Sequence, residues 1–270
     1  MDERQRFDVY RHQLQDLGFP LSPRHRMLDL GSGGGQLVAA GREQGYDVWG
    51  CDFEQPDYMK RLQVRAAGYV RLIPDPYAIP FEDGAFDVVV SDQVFEHVMD
   101  YPGTLAELHR VMKPGGVFIH MFPSRYRPIE PHVFVPFGTM VRAPSWLRLW
   151  ASLGIRNSFQ KGQPAAEVAA FNRNYLMTRT HYLSRRDLRR QFERYFTDVQ
   201  FVEKTFLKYA RRGRPLYALS GVLPFLPALY SSLHGRVVFG RRRAAATSAD
   251  RAQETLRPVE HQQRFRNAAH

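Results

Sequence analysis

Between Leu28 and Gly35 the chain reads Leu28-Asp29-Leu30-Gly31-Ser32-Gly33-Gly34-Gly35, an apolar run that breaks off in glycine and leads into a helix-length stretch. A strand, a glycine turn and a helix in that order form the first unit of a parallel sheet, since the helix carries the chain back to start the next strand alongside. Further short apolar runs stand at Asp47-Val48-Trp49-Gly50-Cys51, Ala85-Phe86-Asp87-Val88-Val89-Val90 and Val117-Phe118-Ile119-His120-Met121-Phe122. With Met27-Leu28-Asp29-Leu30 they alternate with helix-length segments, and the alternation predicts five strands by residue 122, of which these runs locate four. Leu105, Leu108, Val111 and Met112 mark a helix that stops at Lys113-Pro114-Gly115-Gly116, because proline cannot continue it. Upstream, Phe7, Tyr10, Leu14 and Leu17 fall at spacings of three and four, which predicts a packing helix within residues 1–25 ending near Gly18. Downstream, Ser184 is a candidate N-cap for a helix from Arg185 to Tyr195, Asp198 to Glu203 reads as a sixth strand and Arg236 to Gly240 as the last. The expected architecture is α/β, a doubly wound, mostly parallel seven-stranded sheet over residues 26–243.

Two segments interrupt that plan. Residues 124–183, after the fifth strand, are rich in proline, arginine and aromatics and are too long for an ordinary connection. Residues 211–236, before the last strand, enclose Pro215 to Leu233, which has no charged residue at all. About 20 apolar residues suffice to span a bilayer, but Pro215, Pro224 and Pro227 with Ser220, Ser231 and Ser232 argue against one continuous helix. Residues 244–270 read as a polar, disordered tail.

Charge divides the 270 residues unequally. Residues 1–123 hold 12 Lys and Arg against 18 Asp and Glu, and residues 124–270 hold 26 against 9, so the halves carry −6 and +17 and sum to +11. An acidic half suits a cationic ligand; a basic half suits phosphate, nucleic acid or an anionic membrane surface. The single cysteine, Cys51, excludes an internal disulfide framework and any cysteine-rich zinc site. Met1 to Arg11 is charged and lacks an apolar core, so no secretory signal is visible and a cytoplasmic location is expected.

A dinucleotide turn needs Gly or Ala at position 36, where Gln36 stands, and a pyrophosphate at the helix N-terminus, which Asp29 would repel. That carboxylate suits instead a ligand carrying an ammonium and a sulfonium. Asp52 closes the second strand 21 positions after Gly31 (52 − 31), where a carboxylate accepts two charge-assisted hydrogen bonds from ribose hydroxyls.

Taken together, Leu28–Gly35, Asp52, the run Asp75-Pro76-Tyr77-Ala78-Ile79-Pro80-Phe81-Glu82-Asp83-Gly84-Ala85-Phe86-Asp87, Glu96-His97-Val98, and Leu108-His109-Arg110-Val111-Met112-Lys113-Pro114-Gly115-Gly116 resemble the class I S-adenosylmethionine-dependent methyltransferases. The likeness is to the small-molecule branch that includes the ubiquinone-pathway O-methyltransferases, and it covers about Arg26 to Phe122 and, weakly, Ser184 to Glu203. It implies the Rossmann-like methyltransferase fold and S-adenosyl-L-methionine as cofactor. It also implies that Gly31, Gly33 and Gly35 pack against the methionine moiety, that Asp52 holds the ribose and that Asp75 accepts from the adenine amino group. Asp29, Ser32, Phe53, Pro76 and Ser91 complete the expected cofactor set. Pro76 and Tyr77 depart from the small or acidic residues usual there.

Methyl transfer is an in-line displacement to which positioning contributes much of the acceleration. His97, after the fourth strand, is a candidate base, and a neutral imidazole takes a hydroxyl proton near pH 7. His132, in Pro128-Ile129-Glu130-Pro131-His132, is a second candidate, though both histidines also suit a purely structural role. Glu96-His97 is similar to a pair in metal-dependent RNA-end methyltransferases, but their extra acid would fall on Gln93, so no metal is expected. Ser91-Asp92-Gln93-Val94 is not the Asn/Asp-Pro-Pro-aromatic turn of exocyclic-amine methylation, and carbon-5 cytosine chemistry needs a cysteine that Cys51, beside Asp52, does not supply. Residues 204–249 contain nine Lys and Arg and no acid. Apolar surface bordered by arginines is what an interfacial membrane anchor needs. The expected activity is methylation of a hydroxyl on a small or lipid-linked anionic acceptor, a glycolipid precursor or quinone-like molecule, at the cytoplasmic membrane face. Methylation of RNA, and a non-catalytic role in which bound cofactor serves an interaction, stay open as alternatives.

Overall fold

The computed structural model describes residues 3–54 and 66–243, so the expected tail at 244–270 lies outside the described residues. Seven strands form one sheet: β1 Arg26–Leu30, β2 Asp47–Phe53, β3 Val70–Ile73, β4 Phe86–Asp92, β5 Met112–Pro123, β6 Thr197–Phe201 and β7 Gly235–Arg241. Their order is β3-β2-β1-β4-β5-β7-β6, with β7 antiparallel to both neighbours and all other pairs parallel. Leu28 lies opposite Trp49 of β2 on one side and Val89 of β4 on the other. The strand order therefore reverses at β1, and the crevice at the carboxyl ends of β1 and β4 is where ligands bind in such sheets.

Strand alternation sends the core to both faces. On one, Leu28, Val89 and Phe118 meet α3 (Tyr101–Val111) and α6 (Arg185–Glu193) through Leu105, Leu108, Leu188 and Phe192. On the other, Met27, Val88, Val90 and Ile119 meet α1 (Glu3–Asp16) and α2 (Gln36–Glu43) through Phe7, Tyr10, Leu14, Leu37 and Val38. Phe7, Tyr10 and Leu14 are fully buried, so the three- and four-residue spacing in α1 marks its core stripe. Gly41 of α2 makes the close approach possible: a Cβ there would stand 2.5 Å from Val48 and 2.8 Å from the Phe7 ring.

Several boundaries differ from the sequence reading. β5 begins at Met112, so Lys113-Pro114-Gly115-Gly116 lies inside the strand, opposite an irregularity in β4 between Phe86 and Val88. The sixth strand ends at Phe201, and Glu203, expected in it, opens α7 (Glu203–Tyr209) instead. The reason is polar: the buried Glu203 carboxylate accepts from Ser231 Oγ at 2.7 Å and from the Val237 amide at 3.3 Å, which turns it inward. Ser184 caps α6 as expected, its hydroxyl accepting from the Asp187 amide.

Between β5 and α6 the chain builds α4 (Pro144–Ser152) and α5 (Ala165–Thr178) over a small core of Val133, Val135, Leu147, Ala169 and Leu176. Pro215 to Leu233 forms two short helices, α8 (Arg214–Leu219) and α9 (Leu226–Leu233), parted at Gly221–Pro224. α8 buries no residue and α9 only Ser231. No helix among the described residues is long and apolar enough to cross a membrane.

Candidate functional site

The glycine turn sits at the reversal point. Gly31 and Ser32 donate their amides to Cys51 O, at 2.8 and 3.0 Å, which locks the turn onto the end of β2. Asp52 Oδ2 accepts from the Gly33 amide at 2.6 Å and Oδ1 from the Phe53 amide at 2.7 Å, so its carboxylate is fixed beside the turn. Gly31 has φ 74°, a region L side chains avoid, and a Cβ there would stand 2.3 Å from Val94 Cγ2. Glycine is thus required twice over, by backbone conformation and by the loop after β4 that lies on it.

A cavity of about 180 Å³ opens beside the turn, lined by Glu3, Arg6, Asp29, Gly31, Ser32, Gly33, Gln36, Leu37 and Asp92. Burial pushes the Asp29 carboxyl well above its ordinary value; Arg6 opposes the shift, and the nearby charges of Asp92 and Asp52 add to it. Burial raises Asp92 likewise, against the pull of Arg6, whose Nη1 lies 3.5 Å away. Ser32 Oγ, buried, has no hydrogen-bond partner among the described residues. A crowded set of carboxylates and an orphaned hydroxyl around an open glycine turn fit a ligand that brings positive charge and donors of its own.

The expected cofactor residues fall into separate groups. Asp29, Gly31, Ser32, Gly33 and Asp52 surround this end of the sheet, and Gly35 (φ 75°) is the N-cap of α2. Phe53, half exposed, tilts toward Tyr77 with ring centroids 5.9 Å apart, forming an aromatic edge next to Asp75 and Pro76, which are exposed. Ser91 is a correction: alternation along β4 sends its hydroxyl, with Val89, to the opposite face, where it pairs with His120 Nδ1 at 2.8 Å and is fully buried. Only its backbone faces the cavity side, its carbonyl accepting from the Tyr10 hydroxyl at 3.2 Å.

Arg6, Asp92 and Val94 escaped the sequence reading. Glu3, Arg6 and Tyr10 do share the three- and four-residue spacing of the α1 core stripe, a signal that polar residues there face the sheet.

Beyond Asp92 the chain turns sharply at Gln93 (φ 59°), whose amide donates to Met121 O, and the loop to Asp100 carries Glu96 and His97. Glu96 is buried, and burial pushes its carboxyl up to about 8 against its own backbone amide. His97 Nδ1 donates to Arg179 O at 2.7 Å, and burial lowers the imidazole below its ordinary value, so it is neutral near pH 7. His132 comes from the 124–183 segment: its Nδ1 donates to Glu130 Oε1 at 2.7 Å, and its ring lies 4.8 Å from that of His97. Glu130 is buried, yet bonds from His132, the Val133 amide and the Tyr182 hydroxyl hold its carboxyl below the ordinary value. The structure thus brings both candidate histidines together with Glu96 and Glu130: Glu96 and His97 on the loop after β4 that covers the glycine turn, Glu130 and His132 on the 124–183 segment.

Curated relatives share parts of the chain. A demethylmenaquinone methyltransferase of Thermus thermophilus is 39% identical over 112 residues, 40% of this chain and 50% of that protein. A malonyl-[acyl-carrier protein] O-methyltransferase of Serratia marcescens is 35% identical over 97 residues (36% and 38%), and a ubiquinone biosynthesis O-methyltransferase of Pseudomonas aeruginosa is 36% identical over 95 (34% and 41%). The chain therefore spans half or less of the length of these relatives. A solved S-adenosylmethionine-dependent methyltransferase of Mesorhizobium loti superposes with a TM-score of 0.50 at 16% identity, covering 84% of this chain and 95% of that one, which speaks to the fold. The family described as "Methyltransferase domain" matches residues 3–199, most of the 270, and with the seven-stranded sheet and its glycine turn the chain belongs to that family, in the class I S-adenosylmethionine-dependent branch.

Proposed function

We propose that this protein transfers a methyl group from S-adenosylmethionine to a hydroxyl of a small or lipid-linked anionic acceptor presented at a membrane surface. The observation that carries the reading is the carboxylate-lined cavity on the glycine turn, with Asp52 pinned to the Gly33 amide beside it. S-adenosylmethionine, when bound, supplies an electrophilic methyl on a sulfonium. Asp29 and Asp92 supply negative potential for the cationic end, Asp52 accepts from the ribose hydroxyls, and the Phe53 and Tyr77 rings flank the adenine with Asp75 at its rim. Arg6 meets the α-carboxylate that such a ligand carries in addition to its two cationic groups.

The acceptor side is built by His97 and His132. His97 Nδ1 is committed as a donor to a carbonyl, so the neutral ring keeps its lone pair on Nε2, the nitrogen that takes a hydroxyl proton. The relatives named for demethylmenaquinone, malonyl-[acyl-carrier protein] and ubiquinone biosynthesis support a small-molecule or carrier-linked acceptor here. α8, α9 and the turn between them support the membrane surface: in the turn Val222 is 79% exposed and Phe225 57%, Leu219 and Leu229 of the helices stand out beside them, and Arg211, Arg212 and Arg214 flank them with no acid between 204 and 249.

Incubation with methyl-labelled cofactor and a whole-cell extract, fractionated into lipid, RNA, protein and small molecules, tests the acceptor class. Label in the lipid or small-molecule fraction is expected; label confined to RNA would sink the reading.

A further inference from the structure

Glu96, His97 and His132 offer three ligand atoms that lie within 4.8 Å of one another. Their donors are free in a specific way. His97 Nδ1 is committed to Arg179 O and His132 Nδ1 to the Glu130 carboxylate, each at 2.7 Å, and a carbonyl or carboxylate oxygen accepts only if the nitrogen carries the proton. Each ring, in its neutral form, therefore holds its lone pair on Nε2. This is how ligating histidines are held at metal centres, one nitrogen on the ion and the other donating to a carboxylate or backbone carbonyl. Glu130, fixed in turn by the Tyr182 hydroxyl and the Val133 amide, is such an outer carboxylate.

Glu96 is the independent sign. It is 1% exposed, and among the described residues no side chain and no other residue's backbone hydrogen-bonds to its oxygens. Among the described residues the only ion-pair contact it makes is to His97 Nε2, at 4.0 Å. Ionising a carboxyl so placed is costly unless a cation meets it. The histidine side chains keep 37% and 25% of their surface, so the cluster is open on one side. The third ligand comes from the 124–183 segment, 35 positions after His97 (132 − 97), where the spacing around Gln93 gave no hint of it.

We propose that Glu96, His97 and His132 bind one divalent transition-metal cation, with coordination positions left open toward the acceptor. Two nitrogens and one carboxylate suit Zn²⁺, Co²⁺ or Fe²⁺ rather than Mg²⁺ or Ca²⁺, which take oxygen ligands. Ligand bonds of about 2.0–2.2 Å set tetrahedral ligand atoms about 3.4 Å apart, so side-chain rotation must draw the widest pair in by about 1 Å. The proposal rests on the methyltransferase reading for the role of the ion: a hydroxyl bound to it gives up its proton to water at a lower pH. The oxygen then bonds the methyl carbon as the carbon–sulfur bond breaks, its electron pair staying on sulfur. His97 then serves as a ligand and the ion takes over the base's task.

The test uses the full chain, stripped with a chelator and dialysed. Zn²⁺ is titrated against a chromogenic competitor, and Co²⁺ is followed by its visible d–d absorption. One equivalent is expected to bind, with Co²⁺ bands of a low-coordinate nitrogen–oxygen site. His132→Ala and Glu96→Gln should each weaken binding by more than the roughly 10–100-fold expected of the outer-sphere change Glu130→Gln. Since His132→Ala also removes a contact of the 124–183 segment, Glu96→Gln decides: it is nearly isosteric, and the metal-free variant should melt no lower than the metal-free parent. Unchanged Zn²⁺ affinity in Glu96→Gln and His132→Ala, or binding no tighter than that of the Glu96→Gln/His132→Ala double variant, overturns the proposal. Calorimetry of S-adenosylhomocysteine with the metal-free protein separates the two claims: nucleoside binding without metal binding removes only the cation, and metal binding without nucleoside binding removes only the transferase.

Discussion

Two residues at the turn carry distinct duties. Asp52 holds Gly33 and Phe53 by their amides, so Asp52→Ala loosens the turn and removes the carboxylate proposed to accept from the ribose. Hydrogen bonds to charged groups contribute about 1.5–3 kcal/mol each, so the cofactor Kd should rise roughly ten- to hundredfold by calorimetry. An unchanged Kd would remove Asp52 from the site. Gly31→Ala forces a Cβ into both a positive φ and the Val94 methyl. A left-handed L residue costs about 1–2 kcal/mol, and the clash adds to it, so the variant should melt lower and bind cofactor poorly. Val94→Ala in the same chain should restore part of the loss, because it removes the clash and leaves the backbone strain; a double-mutant cycle measures the coupling. Sequence pattern made both residues legible, since a glycine after a strand and an acid at the next strand's end are local features. Ser91 was misread because neighbouring positions on a strand face opposite ways, and which face β4 shows the cavity depends on the turn and on α1.

At the level of elements, α1 and the α8–α9 pair decide what the sheet can do. α1 closes the cavity, with Phe7, Tyr10 and Leu14 in the core and Arg6 turned to the carboxylates. Arg6→Gln leaves that apolar stripe intact, so stability should change little while affinity for the nucleoside amino acid falls, which thermal melting and calorimetry on one sample will separate. The α8–α9 pair is held from below by Ser231, which donates to Glu203 and accepts from Arg236, and shows its leucines and Phe225 to solvent. Phe225→Ser with Leu229→Ser should therefore abolish sedimentation with anionic liposomes at low salt without lowering the melting temperature. Retained sedimentation would remove these helices from the membrane reading. The uncharged run was plain in the sequence, but its outward display was not: prolines predict a break, whereas exposure depends on the buried Glu203–Ser231–Arg236 bonds beneath. β3 was missed as a run because Arg71 and Leu72 are exposed and only Ile73 is buried, as an edge strand permits.

Across the whole molecule, the acidic half converges on one place. Asp29, Asp52 and Asp92 end three neighbouring strands, and burial raises Asp29 and Asp92. A cationic ligand favours their ionised forms, so its binding releases protons and its affinity falls as the pH is lowered. S-adenosylmethionine should show this dependence more steeply than S-adenosylhomocysteine, which lacks the sulfonium charge; calorimetry across pH, and in buffers of different ionisation enthalpy, measures it. Equal slopes for the two ligands would show that the carboxylates do not sense the sulfonium. The sequence by itself determined the α/β class, the glycine turn, the acid at the end of the second strand and the separation of charge, because each is written in neighbouring residues or in a strand–helix period. Only the tertiary structure decided which groups meet: Arg6 with Asp92, Val94 with Gly31, and Glu96 and His97 with His132. Those meetings are made by the sheet's order and by a long excursion of the chain between β5 and α6, and contacts closed over such distances leave no periodic trace in the sequence that makes them.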